Sequence, residues 1–354
     1  MLVVSLLILL LIIFRIIVGN SKASPTNTRK IESLFCGIAY FCIVMLAMFR
    51  GEDVGVDTLS YIKDYQWMPT MDFWDIINEY KGYEGYYLLS KLFSMMGMPC
   101  YKWFGFIEFI LVSAIARFIN KFSTDRLYSI ILFLSTGLFM FSLAGLKQTL
   151  AMSLLLHAYV DFVDKKFARS SLLIVFAYFV HPASLIALFA FIVYLLRKTK
   201  FVIPVLLLIA LLVCVGGLST ASWFVTILGN DHFEMYLEAD SSYTMSTLFL
   251  YCLICLCTLP YLVKYYMSGF NSKVEISCVM LVCVFQYLAS LSPSLFRLSL
   301  PFLPFLFVYV PNSFERVNHK TPVRLILKFC ALIGPILFFA YSNRSFVYTF
   351  IPIK

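Results

Sequence analysis

Apolar runs of membrane length, separated by short polar punctuation, set the rhythm of this chain. A spanning helix takes about 20 apolar residues, fewer where neighbours bury its ends. On that measure the pattern predicts helices near 1–19, 33–49, 103–119, 127–145, 149–163, 201–217, 247–266, 274–291, 295–311 and 323–341. The run 170–196 reads either as one long helix or as two short ones meeting at His181-Pro182. Proline lacks an amide donor and disfavours helix in the residue before it, which makes this a plausible turning point.

Basic residues decide between the two. Lys22, Arg29 and Lys30 place the first loop in the cytoplasm, and Lys121 with Arg126, Lys165 with Lys166 and Arg169, and Arg197 with Lys198 and Lys200 mark three more. A hairpin at His181-Pro182 keeps the last two on one side and brings 264–273 and 316–324 into line. The expected architecture is an all-α, polytopic helical bundle of about twelve membrane segments, both termini outside, forming one multi-pass domain over 1–354. The first run, without a basic n-region or a small-residue cleavage site, is expected to be retained as a helix.

Composition agrees: 61% of residues are hydrophobic, only 13% are charged, and mean hydropathy is +0.88. A soluble core of this size has no room for so much apolar surface. The net charge of +9 comes from short loops between apolar runs, so it argues for membrane topology and against nucleic acid. Of the ten cysteines, Cys252, Cys255 and Cys257 have a spacing that suggests metal. Their neighbours are Leu, Ile and Thr, so they read as packing residues, and no metal site is assigned.

In this topology the outer face is acidic and aromatic. An external loop of about 50–102 carries Glu52, Asp53, Asp57, Asp64, Asp72, Asp75, Glu79 and Glu84 with Trp67, Phe73, Trp74, Tyr80, Tyr83, Tyr86 and Tyr87. A second, about 218–246, adds Asp231, Glu234, Glu238 and Asp240. The aromatic residues either form an interfacial belt or stack on sugars. Arg50, Lys147-Gln148, His181 and Arg297 lie at the outer ends of apolar helices, on the same side as Asp53 and Asp57. Ionisable groups at such depth are costly and mark function by default, a structural ion pair or a snorkelling stem being the competing reading. Arg15 and Arg117, near cytoplasmic ends, fit snorkelling better; His157 and Asp161, four apart, read as a structural pair. Glu108, deep in its helix, needs a partner that the sequence does not name.

Arginine grips phosphate as a fork and lysine as a point charge, and histidine serves as a base near neutral pH. Asp53 and Asp57 either orient sugar hydroxyls, act as the base or hold a divalent ion. No nucleotide-binding glycine loop, H-E-x-x-H or Gly-x-Ser-x-Gly is present. Outside the cytoplasm an activated donor arrives on a lipid, and a polyprenyl-pyrophosphate glycan fits this set.

Arg50-Gly-x-x-Val-Gly-x-Asp57-x-x-x-Tyr61, Glu84-Gly-Tyr-Tyr87, Lys147-Gln-x-x-Ala151 and His181-Pro-Ala-Ser-Leu185, in this order, resemble the EpsG family of Wzy-like exopolysaccharide polymerases. The helix with Arg297 resembles a weaker C-terminal element. Two departures stand out: Lys147 replaces the family's arginine, keeping charge without the bidentate grip, and Pro182 stiffens the turn after His181.

The resemblance implies a multi-pass protein of the bacterial inner membrane, from capsule, exopolysaccharide or O-antigen synthesis. It would join undecaprenyl-pyrophosphate-linked repeat units, as donor and acceptor, on the outer face, alongside a chain-length regulator and a flippase. Arg50, Lys147 and Arg297 would hold the pyrophosphates, and His181, or failing it Asp57, would take the acceptor proton. Asp53, Tyr61, Glu84 and Gln148 would contact substrate; no nucleotide cofactor is expected. A transferase of single sugars from a polyprenyl-phosphate carrier and a transporter of lipid-linked glycan are the rival readings.

Overall fold

The computed structural model describes residues 2–19, 25–228, 242–315, 321–344 and 346–351. Lys22, Arg316 and the acidic residues Asp231, Glu234, Glu238 and Asp240 lie outside the described residues. The rest is helical, in two units: Met1–Lys121, Arg126–Leu185 and Phe339–Lys354 form the first, Phe122–Asp125 and Ile186–Phe338 the second.

The first unit begins with α1 (Leu2–Gly19) and α2 (Pro25–Met48), which expose Leu6, Leu9, Ile13, Leu34 and Phe41 as a lipid-suited surface. The stretch 50–102 is structured: α3 (Thr58–Trp67), a 3-10 turn at Met68–Thr70, α4 (Phe73–Glu79) and α5 (Glu84–Met95). α6 (Cys100–Phe122) buries Trp103, Phe104, Ile107, Leu111, Ile115 and Phe118, a recurrence at three and four residues that lays one face against the unit. α7 (Arg126–Ser135) packs on α1 and α2 and is buried from Leu127 to Ser135. α8 (Leu138–Ala144), α9 (Leu146–Val163) and α10 (Phe167–Val180) complete the unit, α9 packing along α10.

The second unit holds α11 (Leu188–Leu196), α12 (Val202–Leu228), α13 (Ser242–Met267), α14 (Phe270–Leu291), α15 (Leu303–Glu315) and most of α16 (Pro322–Ser342). α15 is buried from Leu303 to Phe314, and Asn312 donates to the Glu275 carboxylate at 3.1 Å and to the Phe122 carbonyl at 2.8 Å.

The expectation of about twelve spans is corrected. Among the described residues seven helices, or eight counting a bent pair, are long and apolar enough to cross a membrane. The run 127–145 breaks at Gly137 (φ 94°) into α7 and α8, bent by 52°. The run 170–196 ends its helix at Val180 and continues through a 3-10 turn, Pro182–Ala187, into nine-residue α11. At about 1.5 Å per residue, the 14 residues of α10 reach roughly 21 Å, against a hydrocarbon core of about 30 Å. α12 is broken at Gly217 (φ 48°), where the expected span 201–217 ends, and helix resumes from there to Leu228 within the expected loop 218–246.

Two polar expectations change as well. Asp161 does not pair with His157; its buried carboxylate takes Arg117 at 2.5 Å and Arg169 at 3.1 Å. His157 Nε2 sits 3.0 Å from the Ser113 hydroxyl instead. Arg117 is therefore an ion-pair partner and not a snorkelling cation, whereas Arg15 lies over the Tyr128 ring at 5.1 Å.

Candidate active site

The motif after α2 is a loop, as Gly51 and Gly55 suggest, and its geometry explains both glycines. Gly55 has φ 95°, and a Cβ there would stand 2.5 Å from the Leu143 carbonyl oxygen of α8. Thr58 fastens the same place, its hydroxyl donating to the Val54 carbonyl at 2.5 Å and lying 3.5 Å from that of Leu143. Gly51 packs against Thr349 with no room for a side chain. Its amide donates to the Thr349 carbonyl at 2.8 Å, and the Ile351 amide donates to the Phe49 carbonyl at 3.0 Å. These bonds form a short antiparallel bridge between Arg50 and Phe350. The Tyr348 hydroxyl adds a bond to the Leu46 carbonyl at 2.6 Å, and the Thr349 hydroxyl donates to the Asp53 carboxylate.

Arg50 is 1% exposed. Its guanidinium lies 4.4 Å from the Phe104 ring centroid, and Nη1 donates to the Ala47 carbonyl at 3.4 Å. Nε and Nη2, the edge that grips an oxyanion bidentately, have no hydrogen-bond partner. Glu108 lies one turn beyond Phe104 on α6, also buried, its two oxygens without a hydrogen-bond partner. Burial pushes the Arg50 pKa down and the Glu108 carboxylate opposes this, although no ion pair or hydrogen bond joins the two.

A second group gathers around the start of α9. The Lys147 ammonium lies 4.5 Å from the Tyr83 ring centroid, 5.1 Å from that of Tyr87 and 5.8 Å from that of Tyr61. It also donates to the Tyr87 hydroxyl at 3.3 Å, which in turn donates to Asp64 at 3.1 Å. Desolvation by burial, then the Asp64 charge, push the Tyr87 pKa up. Tyr80 stacks on Tyr87 at 3.7 Å, and Tyr86 stands edge-on to Tyr87 and beside Tyr61.

His181, 9% exposed, adopts extended backbone at the end of α10. Its ring lies 5.3 Å from that of Tyr83, and Nδ1 is 3.4 Å from the Ser184 hydroxyl. Gly85 lets α5 approach this end of α10, since a Cβ there would meet the Phe179 carbonyl at 3.0 Å. Glu84 accepts the Gly82 amide at 2.9 Å, so one carboxylate oxygen has a local structural use.

The fold thus brings Tyr61, Glu84, Lys147 and His181 into one neighbourhood, and Arg50 and Asp53 into another. Tyr86 lies beside Tyr61 at 5.7 Å and beside Trp103 of α6 at 5.8 Å. Asp57 is exposed at the start of α3, where its carbonyl accepts the Tyr61 amide at 3.0 Å. Gln148 is buried beside Lys147. Arg297 belongs to the second unit, half-buried in the 3-10 turn Pro293–Leu298 that leads to α15.

In the sequence Tyr348 and Thr349 carry no mark of the site, Asp64 and Tyr83 stand only among loop acids and aromatics, and Tyr87 closes the Glu84-Gly-Tyr-Tyr87 motif without an assigned role. Tyr83 and Tyr87, four apart around a helix start, were the available signal for the last two. Nothing local marks Thr349 as the partner of Asp53.

The fold defines an all-α, multi-pass membrane protein. The chain belongs to the EpsG family, whose profile matches residues 33–353, nearly its whole length. Members of that family are Wzy-like polymerases. No curated protein and no solved structure matches the chain.

Proposed function

We propose that the protein is a polysaccharide polymerase acting on the outer face of the bacterial inner membrane. It transfers a growing glycan from polyprenyl pyrophosphate to the terminal hydroxyl of an incoming lipid-linked repeat unit. The observation that carries this reading is the Lys147 ammonium held among three tyrosines beside His181, within a family of polymerases. The bond from the anomeric carbon to the pyrophosphate oxygen breaks as the acceptor oxygen attacks. The acceptor proton passes to His181, or to Asp57 if His181 only positions the sugar.

The pyrophosphate leaves with its pair of electrons, and cations stabilise that charge in a site of low dielectric constant. Lys147 supplies a point charge. Arg50 offers the Nε and Nη2 edge, held by the Ala47 carbonyl and the Phe104 ring. Asp53, Glu84 and the loop aromatics orient sugars.

A gel of surface glycan from a deletion strain tests this. The expected result is single repeat units without the protein, a ladder with wild type, and single units again with Lys147→Ala at matched protein level. Units lacking one sugar would favour the single-sugar transferase; complete units trapped inside would favour the transporter.

A further inference from the structure

The helices of 50–102 hold an open groove in which one of the loop aromatics meets carboxylates. It is lined by Trp67, Thr70, Asp75, Asn78 and Glu79, all exposed, over the buried Met71. Trp67 ends α3 with its side chain largely exposed, while Asp75, Asn78 and Glu79 repeat at three and four residues along one face of α4. The base is fixed: the Lys91 ammonium donates to the Met68 and Met71 carbonyls, and the Thr70 hydroxyl to the Trp67 carbonyl at 2.8 Å. No hydrogen bond or ion pair of the described residues engages the Asp75, Asn78 or Glu79 side chains. An interfacial belt tryptophan lies against lipid among apolar neighbours; this indole borders two carboxylates and an amide, groups that favour water.

We propose that this groove is a glycan subsite that binds a neutral or amino pyranose of the oligosaccharide. It rests on the polymerase reading above. The indole face takes the apolar C–H face of the ring, and the carboxylates and the amide take its hydroxyls. Two carboxylates favour an amino sugar and repel a uronic acid. Such a subsite would hold the acceptor glycan while the donor glycan is transferred.

The test uses the full chain in lipid nanodiscs and trimers of N-acetylglucosamine, glucosamine and galacturonic acid, read by saturation-transfer NMR titration. The first two are expected to bind at least tenfold more tightly than the third. Trp67→Ala should lower their affinity at least tenfold, Trp67→Phe should largely restore it, and Asp75→Asn with Glu79→Gln should remove the preference over galacturonic acid. Equal binding of all three trimers, or wild-type binding by Trp67→Ala, would overturn the proposal. Should the trimers bind while no polymer forms, the subsite stands and the polymerase reading falls; should polymer form while no trimer binds, the subsite falls alone.

Discussion

The Lys147 ammonium hangs 4.5 Å from the ring centroid of Tyr83, and the His181 ring lies 5.3 Å from that same ring. One aromatic side chain therefore contacts both the cation and the histidine of the proposed site. Tyr83→Phe keeps the ring and should keep the glycan ladder. Tyr83→Ala removes a contact worth about 0.5–2 kcal/mol and should shorten or abolish it. Ladder gels at matched protein level decide, and equal ladders from both variants would show that the ring has no such role.

Gly55 is expected to be the least replaceable glycine of the motif loop. Its φ of 95° and the Leu143 carbonyl oxygen, 2.5 Å from where a Cβ would stand, leave alanine both strained and crowded. Gly55→Ala should cost about 1–3 kcal/mol and lower the melting temperature of the purified protein. Gly97→Ala, also at positive φ but facing open space, should cost less.

Asp161 is fully buried between Arg117 and Arg169. Asp161→Ala should cost about 1 kcal/mol, because water reaches both arginines once the carboxylate is gone and Arg117 keeps Asp164 at 3.5 Å. The double variant Asp161→Ala with Arg117→Ala should recover part of that loss in a thermal denaturation series. Additive losses would contradict the pairing.

Tyr87 supplies a pH test. Burial and the Asp64 charge hold its folded-state pKa above the unfolded value of ~10. The fold then favours the neutral phenol, so this contribution to stability is complete below pH ~10 and is lost as pH rises toward the folded pKa. Ultraviolet titration should show that Tyr87, identified by its loss in Tyr87→Phe, ionises only with alkaline unfolding. Ionisation near pH 10 in the native protein would contradict its buried setting.

Hydropathy revealed the helices and the lipid-facing surfaces because both depend on composition over a window. It overcounted the spans, because a window reports apolar length and is blind to the bend that Gly137 makes or to the end of α10 at Val180. The motif loop was legible through Gly51 and Gly55. Its cover was not: Arg50 pairs with Phe350, near the far end of the chain, through backbone bonds that no side-chain pattern encodes. Glu108 announced a need for a partner by its depth alone, and packing placed Arg50 over the face of Phe104 without joining it to that carboxylate. His157 and Asp161 satisfied the helical spacing rule, yet cations from α6 and α10 took Asp161, since a buried carboxylate gains more from a guanidinium than from a neutral imidazole.

The most direct test incubates the purified protein in nanodiscs with lipid-linked repeat units isolated from the deletion strain. The account predicts a glycan ladder, with one polyprenyl pyrophosphate released for each bond formed, and loss of both products in Lys147→Ala and His181→Ala. A ladder of unchanged length from both variants, or no ladder from wild type, would contradict it.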